Sequence, residues 1–198
     1  MLILEQSLWD RGLSHVAGVD EAGRGALAGP VVAAAVILPH ALLIRGLNDS
    51  KQLTPSERER LYAVISCAAL GIGVGVVDPD IIDRENIRRA NALAMRQAVD
   101  ALPIHPDHLL IDGMDTIDGP WPQTPVIDGD AKSLSVAAAS VIAKVTRDRM
   151  MVEWDRHYPV YGFARHKGYG TAEHIEAINR CGQCSIHRRS FKIASLSD

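Results

Sequence analysis

Four carboxylates and one glycine-flanked cation carry the chemistry this sequence could perform. Asp20 and Glu21 stand side by side where the apolar run of residues 14–19 ends, Asp112 closes the short apolar run 108–111, and Asp130 follows residues 126–127 in Asp128-Gly129-Asp130. A carboxylate held at the end of a buried strand costs free energy unless something positive compensates it. Ligands of open α/β sheets gather outside the carboxyl ends of the strands, so neighbouring strands would bring the four acids into one small volume. Crowded negative charges raise one another's pKa values until cations neutralise them. Hard oxygen donors without His or Cys favour Mg²⁺ or Mn²⁺ over zinc. Two such ions about 3.5–4 Å apart are the usual arrangement for phosphodiester hydrolysis. Taken singly, Asp112-Gly113 and Gly129-Asp130 read as ordinary turn residues. Turn chemistry explains Asp20-Glu21 poorly, and the conjunction carries the expectation.

Gly23-Arg24-Gly25 follows the acidic pair directly. Glycine lets backbone N–H groups approach a phosphate or a sugar hydroxyl, and Arg24 adds a fork of donors suited to phosphate. A tight turn with a solvated arginine is the plainer reading. Two rival motifs fail. A calcium loop opening at Asp128 needs glycine sixth and glutamate twelfth, where this chain has Ser133 and Ala139. A dinucleotide fingerprint needs a helix after the glycines, and Pro30 with a strand-like run follows instead. Further cations lie at Lys51, Lys144, Arg147, Arg149, His166-Lys167 and His187-Arg188-Arg189, each individually read as a solvated face residue. Tyr169, between Gly168 and Gly170, could stack on a sugar or base. His166 or His187 could shuttle protons or bind phosphate.

The elements that must position these groups follow from periodicity. Residues 3–13 predict a short helix, and residues 14–19 a strand. The run 31–38 between two prolines predicts a strand buried on both faces, antiparallel to the first. Thr54 as N-cap, Pro55 and Glu57 start a helix reaching residue 67 or 70. A strand over 71–77 and a helical pattern from Asp78-Pro79-Asp80 to residue 101 follow. The longest helical pattern covers 133–158, and its Ala137-Ala138-Ala139 would let it lie close on a sheet. Thr171 caps a last helix over 171–180. Early strands followed by alternating strands and helices predict an α/β fold with a mixed sheet.

Composition narrows the class. The 198 residues, 47% hydrophobic, suit one globular domain over 1–198, its C-terminal helical part beginning near 171. A formal net charge of −3 gives no global basic field, so a nucleic-acid partner would need a local patch. Three cysteines form no disulfide framework and suit a reduced, cytoplasmic compartment. Cys181-Gly-Gln-Cys184 lacks a second pair and reads as incidental. No signal peptide is expected, and the longest apolar stretch falls short of the ~20 residues of a membrane span. A monomer is expected, since no apolar heptad or repeat appears.

The segments VDEAGRGALAGPVVAAAVIL, LNDSKQLTPSERERLY, LLIDG, GDAKSLSVAAASVIAKVTRDRMM, YGFARHKGYGT and HRRSF together resemble the bacterial ribonuclease HII family, over residues 16–191. The resemblance implies an RNase H-like α/β fold, with a mixed five-stranded sheet flanked by helices. It implies cleavage of the RNA strand of RNA/DNA hybrids, including single ribonucleotides embedded in duplex DNA. Such an activity would serve ribonucleotide and RNA primer removal. Asp20, Glu21, Asp112 and Asp130 fall on the family's acidic tetrad, implying ligation of Mg²⁺ or Mn²⁺, two ions during catalysis, and 3′-hydroxyl and 5′-phosphate ends. Gly23, Arg24 and Gly25 would read the 2′-hydroxyl and Tyr169 would pack on the following deoxyribose, with Lys51 a further substrate contact. Only the 2′-hydroxyl separates the two sugars, so this pairing gives a physical basis for choosing RNA.

Two departures bear on these expectations. Related enzymes have Lys-Gly-Asp where this chain has Asp128-Gly129-Asp130, which sets an anion near the site, although register favours Asp130 as the ligand. The sequence also stops soon after Phe191, without the duplex-binding extension of some relatives, so modest affinity falling steeply with salt is expected. Two other readings remain. A junction resolvase or DNA-strand transferase would share the acids but cut all-DNA junctions. A non-catalytic hybrid-binding module would bind without turnover and tolerate Asp112→Asn.

Overall fold

The structure, a computed structural model, describes residues 1–40, 42–47 and 50–193, with Lys51 described by its main chain alone. Its elements are, in order, α1 (Ile3–Trp9), β1 (Val16–Ala22), β2 (Val31–Ile37), a 3-10 turn (Ser50–Gln52), α2 (Pro55–Ala68), β3 (Gly71–Val77), α3 (Pro79–Glu85) and α4 (Ile87–Asp100). Then come β4 (His108–Asp112), β5 (Gln123–Val126), α5 (Gly129–Lys132), α6 (Leu134–His157), α7 (Phe163–His166) and α8 (Ala172–Cys181). The five strands form one mixed sheet in the order β3-β2-β1-β4-β5. The β1–β2 and β2–β3 pairs are antiparallel, whereas β4 runs parallel to both β1 and β5. No described helix is long and apolar enough to cross a membrane.

β2 shows why a continuous apolar run was needed. Val31, Ala33, Ala35 and Ile37 face the cluster built with α4, while Ala34 and Val36 face the cluster built with α6 and α2. Small residues set both spacings. A Cβ on Gly73 or Gly75 would lie 2.0 Å from the Ala98 or Ala94 carbonyl oxygen, so the glycines of β3 admit the backbone of α4. On the other face, a Cβ on Gly18 would lie 2.1 Å from the Ser135 carbonyl carbon, so α6 rests on β1 with no side chain between. Glu5 from α1 anchors the start of α6. Its Oε1 accepts bonds from the Ser133 and Ser135 hydroxyls (2.6 and 2.7 Å) and the Ser135 N–H (3.0 Å), a carboxylate at a helix N-terminus. α2 begins with the expected capping box between Thr54 and Glu57.

Three expectations need correction. β1 runs to Ala22, so Asp20 and Glu21 lie within the strand and not after it. The helical pattern 78–101 divides into α3 and α4 at Asn86, whose φ of 69° breaks the helix. The Asn86 carboxamide oxygen then accepts the Arg88 and Arg89 N–H groups and caps α4. Finally, residues 123–126 form an edge strand that periodicity did not single out. Pro125 is tolerated there because no further strand needs its missing N–H.

Candidate active site

Parallel pairing of β1 with β4 creates the acidic end of the sheet. The last paired residues are Val19 and Ile111, so Asp20 and Asp112, each one residue further on, lie side by side at the same sheet end. Asp20 is 3% exposed. Its carboxylate accepts the Glu21 N–H at 2.7 Å and a hydrogen bond from the Ser140 hydroxyl of α6. Ser140 in turn lies 2.7 Å from Ser50 Oγ in the 3-10 turn. Burial first, then the charges of Glu21 and Asp112, push the Asp20 carboxyl well above the ordinary carboxylate range. A group so placed takes up either a proton or a cation.

Strand alternation sends Glu21 to the opposite face from Asp20, toward α4. There its carboxylate meets Arg24 at 3.8 Å. Asp112 accepts the Gly129 N–H at 2.7 Å, which holds the start of α5 against the end of β4. A Cβ on Gly129 would lie 3.1 Å from that carboxylate oxygen and 3.2 Å from Val136, so the junction is built around a glycine. Asp130 lies in the first turn of α5, not at a strand end as expected, and is buried. Asp128 is exposed and left-handed (φ 53°, ψ 46°). The fold therefore turns Asp130 inward and Asp128 outward.

The donor chemistry of this set suits a hard divalent cation: all four acids offer oxygen, and burial and mutual repulsion already strain Asp20. Among the described residues, however, no three carboxylate, imidazole or thiol groups close into a ready-made shell. Asp20 interacts electrostatically with both Glu21 and Asp112, its neighbours at this end of the sheet.

The adjoining loop is shaped from behind. Gly23 has φ +93°, and a Cβ there would lie 1.9 Å from Arg147 Nε. Gly25 has open space around its missing Cβ, which leaves its backbone approachable. The Arg24 side chain is exposed, while its carbonyl accepts a bond from Arg188 Nη1 at 3.0 Å. Tyr169 is half-buried, with Lys144 Nζ 5.6 Å and Arg147 Cζ 5.4 Å from its ring centre. It borders a groove of about 560 Å³ that also touches Arg58, Lys144, Arg149, Arg156 and Lys167. Much of that positive charge is already paired internally, as Lys144–Asp148, Arg149–Glu59 and Arg156–Glu153. The Lys51 side chain lies outside the described residues.

Two arginines and two histidines contradict the solvated reading. Arg147 and Arg188 are both 0% exposed. Burial, then the neighbouring Arg147, lowers Arg188 to about 9. His166 and His187 are buried as well, and their hydrogen bonds run inward. His187 Nδ1 accepts the Cys184 N–H at 2.9 Å, so its Nε2 carries the proton toward His174 Nε2 at 3.1 Å. His174 Nδ1 then donates to the Tyr169 carbonyl at 2.9 Å. These histidines support Tyr169 from behind and do not face a phosphate. Ser140 was also not singled out, since a serine in an alanine-rich helix carries no signal of what lies opposite.

Comparison with known proteins agrees with this architecture. The family model described as Ribonuclease HII matches residues 17–194. The chain is 57% identical to ribonuclease HII of Acetivibrio thermocellus over 191 residues, covering 96% of this chain and 75% of that one. It is 54% identical to the Geobacter metallireducens ribonuclease HII, with 95% and 92% covered. Among solved structures, ribonuclease H2 from Pyrococcus horikoshii OT3 superposes with a TM-score of 0.76 at 30% identity, covering 90% of this chain and 94% of that one. With its RNase H-like fold, the chain belongs to the ribonuclease HII family and is a ribonuclease H, an endonuclease acting on RNA/DNA hybrids.

Proposed function

We propose that the chain is a divalent-metal-dependent endonuclease that cuts the RNA strand at Asp20, Glu21, Asp112 and Asp130, leaving 3′-hydroxyl and 5′-phosphate ends. The observation that carries this is the burial of Asp20 at the sheet end where β1 and β4 set it beside Asp112 and next to Glu21, with Asp130 buried in α5. These four residues would hold Mg²⁺ or Mn²⁺, two ions in the working state. Bound metal supplies an activated water and neutralises charge on the leaving oxygen. Asp20 and Asp112 would hold their positions through Ser140 and Gly129, so that little reorganises when substrate arrives.

Gly23-Arg24-Gly25 would read the 2′-hydroxyl and Tyr169 would pack on the deoxyribose that follows, which makes a single ribonucleotide in duplex DNA a substrate. The open side of Gly25 and the half-buried ring of Tyr169 support this reading. Such an enzyme would act as a monomer in ribonucleotide removal. The test is a duplex DNA carrying one ribonucleotide, incubated with Mg²⁺ or Mn²⁺ and with EDTA. Cutting on the 5′ side of the ribonucleotide, lost with EDTA and in Asp112→Asn, is expected. Metal-independent cutting, or equal cutting of all-DNA junctions, would overturn it.

A further inference from the structure

We infer that Arg147 is a positioning residue that sets the spacing between Gly23-Arg24-Gly25 and Tyr169, and thereby the preference for an RNA–DNA junction. This rests on the reading that those two segments contact the ribose and the deoxyribose on either side of the RNA–DNA junction. Arg147 leaves α6 fully buried and spends its donors on both segments. Nε donates to the Pro30 carbonyl (2.9 Å) and Nη2 to the Ala28 carbonyl (3.0 Å), both in the β1–β2 connection. Nη1 donates to the Lys167 carbonyl (2.9 Å), two residues before Tyr169. The same guanidinium fills the space behind Gly23 and lies 5.4 Å from the Tyr169 ring centre.

The two segments also touch directly. The Leu27 and Ala28 N–H groups both point at the Gly168 carbonyl (2.8 and 3.3 Å). A Cβ on Gly168 would lie 2.4 Å from the Ala28 carbonyl oxygen. Arg147 bolts this seam shut at its centre.

A buried guanidinium is a costly way to gain stability, since apolar residues of similar volume often do as well or better. Among the described residues, main-chain carbonyls and not carboxylates take its protons. What it offers beyond packing is a rigid planar fork that fixes three carbonyls from two chain segments relative to one another. Lysine, a flexible point charge, cannot do so. Displacement of a sugar contact by about 1 Å is enough to cost up to about a hundredfold in rate.

The test compares kcat/KM on a single ribonucleotide in DNA with kcat/KM on a continuous RNA tract paired with DNA. In a tract a ribose follows the ribose being read, so the Tyr169 contact with deoxyribose is not in play. Arg147→Lys should lower the junction-to-tract ratio by about tenfold, as should Tyr169→Ala, and the two changes together should lower it no further. A merely structural role would lower both substrates alike and leave the ratio unmoved. Should a displaced buried ammonium unfold the Lys variant, Arg147→Met fills similar space without a charge and carries the same expectation. If Tyr169→Ala collapses the ratio while both Arg147 variants keep it, the proposal fails and the reading of Tyr169 stands. If Tyr169→Ala leaves the ratio intact, that reading fails and takes the role of Arg147 with it.

Discussion

Acidification should weaken this fold through the histidine chain behind Tyr169, by an amount the structure allows to be worked out. His187 is 2% exposed, and both of its ring nitrogens are committed, one accepting from Cys184 and one donating to His174. An added proton would have to go on Nδ1, breaking the Cys184 bond and charging a buried ring beside two others. Burial first, then His174, lowers His187 from 6.5 to about 4. The folded pKa lies below the unfolded one, so between about 6.5 and about 4 the unfolded chain binds a proton that the folded chain refuses. The stability is therefore fully present above about pH 6.5 and is lost as pH falls toward about 4. At about 1.36 kcal/mol per pH unit, the loss between about pH 7.5 and pH 4.5 is about 2.5 kcal/mol from His187 alone. The assay is urea unfolding followed by tryptophan fluorescence across that range, on the wild type and on His187→Gln. Glutamine keeps a donor within reach of His174 but cannot be protonated, so its curve should be flatter by that amount. Carboxylates contribute equally to both curves and cancel. Parallel loss of stability in the two proteins would refute the reasoning, as would an NMR titration of His187 near 6.5.

Ser140→Ala removes the hydroxyl that holds Asp20 and should weaken Mn²⁺ binding, read by calorimetry, by about tenfold to a hundredfold while the fold persists. Gly18→Ala pushes a Cβ into the backbone of Ser135, where nothing flexible can yield, and should cost about 3 kcal/mol or more in chemical denaturation. Thr54→Ala opens the capping box of α2 and should cost about 1 kcal/mol in the same assay. Hybrid affinity measured by fluorescence anisotropy should fall with salt at a log–log slope of about −3, since several groove cations are already paired with acids.

Much of this protein was written locally in its chain. Thr54, Pro55 and Glu57 specify a helix start within four residues, and the run 31–37 specifies a doubly buried strand by the absence of any polar position. The acids and the Gly-Arg-Gly loop were legible for the same reason, because adjacent charges after an apolar run need a compensating partner wherever they lie. Tertiary structure decided what depends on the other side of a contact. Asp130 moved from an expected strand end to the first turn of α5, and Asp128 turned outward, because the Asp112 carboxylate holds the Gly129 N–H. Asn86 split one helical pattern in two, although helical periodicity continued through it. Arg147 and Arg188 looked like surface cations because a guanidinium in water and one buried under main-chain carbonyls have the same local sequence. Only the chain segments folded over them, the β1–β2 connection above all, supply the carbonyls that make burial affordable.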